Sequence, residues 1–162
     1  MTLEGTAVVI DQDDVDTDVM YPGQFIGILD DDEMAKHLFE GLDPTLRDQL
    51  VGDTVLVAGA NFGTGSSREN VPAAMRAAGI RCVIAASFAR IFQRNCINLG
   101  LLALPCPDAV AAARRGSHVR IEVETGAVEV DGRRFQAAAL PPFMVELVQL
   151  GGLAPWIRAT RA

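Results

Sequence analysis

Residues 52–70 read GDTVLVAGANFGTGSSREN. The run TVLVAG (54–59) is continuously apolar, the pattern of a strand covered on both faces. The alanine-rich VPAAMRAAGI follows, predicting a helix from about Ser67 to Ala78 that Gly79 stops. A strand that enters a helix through a glycine–serine loop is an α/β signature, and the order repeats downstream. CVIAAS (82–87) reads as a strand, FARIFQRNCINLG (88–100) as a helix, LLAL (101–104) as a strand and DAVAAARR (108–115) as a short helix. HVRIEVETGAVEVDGRRF (118–135) then alternates polar and apolar residues around Thr125-Gly126, a hairpin pattern. PPFMVELVQLGG (141–152) predicts one closing amphipathic helix. Upstream, TAVVI (6–10) is a first strand and Pro22-Gly23 marks a turn. DDDEMAKHLFEG (30–41) is a helix with an acidic first turn, ending at Gly41. DPTLRDQL (43–50) starts another, with Asp43 as N-cap and Pro44 at the first helical position. The expectation is one mixed α/β domain over residues 1–162.

Composition narrows the function classes. Of 162 residues, 49% are apolar, enough for an ordinary core, and the formal charge is −7. The basic residues are scattered, with no stripe interleaved with aromatics, so no nucleic-acid partner is expected. The N-terminus MTLEGTAVVIDQDD has neither a basic flank nor a long apolar core, and no apolar run approaches membrane length. A cytoplasmic protein with no membrane partner is expected. Cys82, Cys96 and Cys106 form no C-x-x-C pair, so they read as reduced thiols in or near the core, and no metal is expected to be held by this chain alone.

The loop between strand and helix carries the chemistry. Ser66-Ser67-Arg68-Glu69 fits the capping box S-x-x-E, in which Ser66 and Glu69 would satisfy free amides. That reading leaves Gly63, Gly65 and Arg68 unexplained. Glycines let backbone approach a ligand closely, and a helix N-terminus attracts anions. Arginine at that end opposes the helix dipole, a conflict that an anionic ligand would relieve. The only lysine is Lys36, so this is no Walker A loop, and the glycine spacing does not fit a dinucleotide fingerprint. A carboxylate suits the site better than a nucleotide. The acidic run DQDDVDTD (11–18) fails as a calcium loop, because Val19 and Phe25 stand where glycine and glutamate are needed. It is either a solvated, turn-forming loop or a segment that sends one aspartate into a site. His37 and His118 lack partners at ligand spacing and read as structural or surface residues.

DVDTDVMYPGQF, GDTVLVAGANFGTGSSREN, GIRCVIAASFARIFQRNCINLG and LLALP, in that order and at close spacing, resemble the 3-isopropylmalate dehydratase small subunits. The resemblance runs from about residue 5 to the C-terminal helix. It implies the swivelling β/β/α domain of the aconitase small-subunit type, and a large-subunit partner carrying a [4Fe–4S] cluster. The reaction it implies is the reversible removal of water from a small hydroxy acid and its re-addition at the neighbouring carbon, in leucine biosynthesis. The leaving hydroxide would depart to the partner's iron acting as Lewis acid. By resemblance Ser66 is the base, Ser67 and Arg68 bind substrate carboxylate alongside Gly65, and Asp18 lies at the active site. A serine is a poor base unless its alkoxide is stabilised, which a helix N-terminus and an adjacent arginine would do. Either Ser66 or Ser67 could be the cap, and a capping hydroxyl is a less available base.

Two positions depart from the family pattern. Gly27 stands in the loop where relatives place a substrate-selecting residue, and Asn70 stands where histidine or glutamine is usual. With no cation at Gly27, a third substrate carboxylate would be poorly held, so an alkyl-substituted malate is expected over homoaconitate. A dimethylmalate-type substrate and a stand-alone carboxylate-binding module are the rival readings.

Overall fold

A computed structural model describes residues 1–162. Its centre is a mixed sheet of seven strands: β1 (Thr2–Ile10), β2 (Thr54–Ala58), β3 (Ile80–Ala85), β4 (Leu102–Pro105), β5 (His118–Glu122), β6 (Ala127–Val130) and β7 (Arg133–Gln136). Their spatial order is β4-β3-β2-β1-β5-β6-β7. The first four strands run parallel; β5, β6 and β7 continue antiparallel from β1. The helices are α1 (Thr17–Met20), α2 (Asp31–Lys36), α3 (Asn70–Ala77), α4 (Arg90–Asn98), α5 (Pro107–Ala112), α6 (Pro142–Leu150) and α7 (Leu153–Thr160).

Alternation along the strands divides the core into two layers. Val8, Ile10, Leu56, Ala58, Val83 and Ala85 point to one face, where α3 and the segment around Met20, Tyr21, Leu38 and Phe39 cover them. Ala7, Val55, Val57, Cys82 and Ile84 point to the other, under α5 and α6. Every residue of β2 is buried, which is why its sequence shows no alternation.

The departures from the sequence reading have local causes. α2 stops at Lys36, because Leu38 and Phe39 turn inward to full burial and Phe39 adopts a left-handed φ of 64°. Residues 44–49 wind as a 3-10 helix, with the Asp43 carboxylate accepting from the Thr45 amide at 3.0 Å. Asp131 and Gly132, with φ of 48° and 84°, form a second, two-residue hairpin turn after the four-residue turn at 123–126, and add β7. Gly151 and Gly152 end α6 and redirect the chain into α7, which the sequence reading lacked. There Trp156 Nε1–H donates to Glu146 at 3.0 Å.

The three cysteines are free and buried. Burial pushes the thiols of Cys82 and Cys96 far up, so they remain protonated packing groups. β1, β2 and β3 end side by side at Ile10, Ala58 and Ala85. The loops that leave them lie beyond the carboxyl ends of parallel strands, where open α/β sheets form ligand crevices.

Candidate functional site

The acidic run and the glycine–serine loop are laced together residue by residue. Asp13 accepts from the Ala60 amide at 2.7 Å, and Asp14 from the Asn61 side chain at 2.9 Å. The Gly63 amide donates to Val15 at 3.0 Å, and the Thr17 amide to Thr64 at 2.8 Å. Asp16 caps α1, accepting from the Asp18 amide at 2.6 Å. The run is therefore not a free solvated loop. Asp13, Asp14 and Asp16 fasten it, and Asp18 reaches the other loop's reactive-type side chains.

The Ser66 hydroxyl donates to Asp18 Oδ1 at 3.1 Å, and Arg68 Nη1 lies 3.4 Å from the same oxygen. Thr17 Oγ1 stands 3.2 Å from the Ser66 carbonyl and 3.3 Å from Ser66 Oγ. The one proton of the Thr17 hydroxyl goes to the Ser66 carbonyl, and a turn of that hydroxyl would aim it at Ser66 Oγ instead. Arg68 Nη1 is buried yet forms no hydrogen bond, although its side chain as a whole is 30% exposed. This nitrogen is ion-paired with Asp18 but not aligned to hydrogen-bond with it, so its protons remain available to a better-placed acceptor. An incoming carboxylate would engage the guanidinium bidentately. Gly23 makes room for this arginine: a Cβ there would come within 3.2 Å of Nη1.

The helix expected from Ser67 begins at Asn70, and the capping box is not formed. Pro72 explains the shift. In a helix starting at Ser67, Pro72 would lie past the first turn, where its missing N–H breaks the ladder and its ring strikes the Arg68 carbonyl. Starting at Asn70 keeps Pro72 inside the first turn. The N-cap, Glu69, gives no side-chain cap, so Ser66 and Ser67 are released from helix capping. The conflict between cap and base at Ser66 is thereby removed.

The glycines in this loop answer to neighbouring protein atoms. Gly65, at φ 100°, would bring a Cβ to 2.6 Å from the Asp16 carboxylate. Gly63, at φ 86°, presses its bare α-carbon on the Phe92 ring, so that any Cβ would overlap it. We expect Gly63→Ala to destabilise the fold by about 2–4 kcal/mol, from strained backbone plus overpacking. Thermal melting of the isolated chain checks this, and a melting point within a degree of wild type would contradict it.

Gly27 is exposed with open space around it, in a turn carrying Ile26 and Leu29, which are 40% and 89% exposed. Asn70 reaches across to this turn, its Nδ2 at 3.4 Å from the Ile26 carbonyl. Ser67 is exposed, and its carbonyl accepts from Asn95 Nδ2 of α4 at 3.0 Å. Thr17, Gly23 and Asn95 thus join the residues of the sequence reading, which named Asp18, Gly27, Gly65, Ser66, Ser67 and Arg68. Thr17 had a signal, standing beside Asp18 in the T-D pair; the contacts of Gly23 and Asn95 exist only in the folded chain. No group of three or more His, Cys, Asp or Glu side chains is placed to hold a metal ion. No helix is long and apolar enough to cross a membrane.

Comparison with known proteins finds relatives over nearly the whole chain. The model of the aconitase C-terminal domain family matches residues 47–109. The chain is 44% identical to the 2,3-dimethylmalate dehydratase small subunit of Eubacterium barkeri, covering 91% of this chain and 92% of that protein. It is 45% identical to 3-isopropylmalate dehydratase small subunit 1 of Methanopyrus kandleri, with 90% and 87% covered. The small subunit of 3-isopropylmalate dehydratase from Moorella thermoacetica is 43% identical, with 89% and 88% covered. The crystal structure of 3-isopropylmalate dehydratase from Methanocaldococcus jannaschii superposes with a TM-score of 0.91 at 33% identity, over 99% of this chain and 96% of that one.

Proposed function

The chain belongs to the 3-isopropylmalate dehydratase small-subunit family, and from that premise we propose that it works as such a subunit. In this reading it isomerises 2- and 3-isopropylmalate by dehydration and rehydration, in leucine biosynthesis, together with a large subunit. Residues 1–162 act as one swivel domain. The observation that carries the reading is the convergence of the Ser66 hydroxyl and the Arg68 guanidinium on one oxygen of Asp18. A base and a carboxylate receptor stand side by side there, as proton removal next to a carboxylate requires.

Arg68, with Ser67 beside it, binds a substrate carboxylate, using Nη1, which makes no hydrogen bond within the chain. This holds the adjacent C–H toward Ser66. Ser66 Oγ passes its own proton toward Asp18 and takes the proton from carbon. Thr17, buried 3.3 Å behind it, turns its hydroxyl proton from the Ser66 carbonyl to stabilise the oxygen's negative charge. The cysteines lie in the core and supply no ligand set, so the iron–sulfur cluster that the family implies belongs to the large subunit. The turn around Gly27 offers apolar side chains and no cation, which suits an alkyl tail over a third carboxylate.

The test is to assemble the chain anaerobically with the large subunit of its own source and assay a panel of hydroxy acids. We expect dehydration of isopropylmalate, none with a tricarboxylate, and none by either subunit alone. Preference for 2,3-dimethylmalate would keep the chemistry and change the substrate. Carboxylate binding by the bare chain, with no turnover in the assembly, would overturn the reading in favour of a binding module.

A further inference from the structure

The turn from Pro22 to Ile28 is closed mainly on itself, by the amides of Phe25, Ile26 and Ile28 donating to Pro22, Gly23 and Phe25 at 3.1, 3.2 and 3.1 Å. Gly23, Gln24, Ile26 and Gly27 are exposed. Yet it touches the candidate site twice, with Gly23 against the Arg68 guanidinium and the Ile26 carbonyl against Asn70. A turn with so little burial of its own is placed by whatever holds it from behind.

Phe25 and Ile28 pack part-buried against the core, and two more specific contacts act on Phe25. The hydroxyl of fully buried Tyr21 donates to the Phe25 carbonyl at 2.9 Å. The Phe25 ring lies flat on the imidazole of His37, with centroids 3.8 Å apart and planes 11° from parallel. His37 is itself fixed, its Nδ1–H donating to Glu40 Oε2 at 2.7 Å, and Glu40 lies 3.9 Å from Arg47 Nη1. Arg47 in turn donates to the Leu38 carbonyl at 3.1 Å. A line of contacts therefore runs from Arg47 through Glu40, His37 and Phe25 to the turn beneath Arg68. Tyr21 holds the Phe25 carbonyl and meets its ring edge-on at 6.2 Å, whereas the flat stack on His37 sets the plane of the ring that the turn follows.

We infer that His37 is a positioning residue, whose stack on Phe25 sets where the 23–27 turn sits against Arg68 and on the tail side of the substrate site. The inference rests on the reading of Ser66 and Arg68 as a substrate site, and His37 touches no reacting atom. Loss of the stack frees the turn, so the substrate is held less well while the base at Ser66 is undisturbed.

Hydrogen exchange on the isolated chain tests the clamp without a partner. In His37→Ala, exchange of the Phe25, Ile26 and Ile28 amides should quicken about threefold to tenfold, the scale of one aromatic pair, while exchange in β1–β4 stays as in wild type. His37→Phe, which keeps a flat ring, should restore the slow rates. In the assembled enzyme, His37→Ala should raise KM by a similar factor, leave kcat near wild type, and alter the ratio of activity on isopropylmalate to that on dimethylmalate. Unchanged exchange in the turn overturns the inference. So does faster exchange spread over the whole sheet, or equal losses in kcat for both substrates, because each marks a merely structural role. The exchange result stands by itself: a wild-type assembly without turnover would discredit the dehydratase reading, while exchange in the turn would still decide whether the clamp exists.

Discussion

Replacing Ser66 by alanine is expected to lower turnover of the assembled enzyme by about 10²–10⁴-fold, the range that a positioned general base supplies, with the subunits still associated. The hydroxyl contacts Asp18 and Thr17, but it carries no helix-capping duty, because α3 begins only at Asn70. Losing it removes one part-exposed oxygen from the fold, so melting should shift by no more than a few degrees. KM should change little, since Arg68 and the backbone around it remain. Measuring kcat and KM beside co-purification of the partner separates these effects. Full activity of the variant would remove Ser66 from the role of base. A parallel loss of association would show that the residue serves the interface.

The resemblance named Ser66 together with Ser67, Arg68 and Asp18; what the residues alone reveal of the site follows from the range of their signals. The apolar run of β2, the glycines of the loop and the alanine-rich helix are local patterns, and local patterns fix strand, loop and helix in order. Pro72 was also local, but its consequence reaches back four residues to Arg68, and that shifts the helix start from Ser67 to Asn70. The acidic run reads as turn-forming on composition alone. Only its pairing with residues 60–66 shows that Asp13 and Asp14 fasten the loop, whereas Asp18 faces Ser66. Thr17 and Asn95 approach the serines from residues 49 and 28 positions away in the chain, a relation no periodicity encodes. The missing elements have the same origin. Asp131-Gly132 and Gly151-Gly152 are ordinary turn signals, but whether a strand or helix follows depends on what the sheet edge and the α6 surface can still bury.

Arg68→Ala is expected to lower kcat/KM by about two to three orders of magnitude, chiefly through KM, as when one member of a hydrogen-bonded charge pair is truncated. The fold should tolerate the change. The Arg68–Asp18 pair is 30% and 53% exposed on its two sides, and such pairs contribute about 1 kcal/mol or less to stability. Arg68→Lys should recover part of the loss, since an ammonium supplies the charge without the planar fork that takes a carboxylate bidentately. Asp18 makes the prediction sharper. Without the arginine, its carboxylate stands uncompensated beside Ser66 and repels an anionic substrate. The double variant Arg68→Ala, Asp18→Asn should therefore bind substrate better than Arg68→Ala alone, so the two losses do not add. Steady-state kinetics of the single and double variants measures that coupling. Strict additivity, or a KM unmoved by Arg68→Ala, would mean that Nη1 of Arg68 does not serve the substrate, and that the arginine only braces the turn at Gly23.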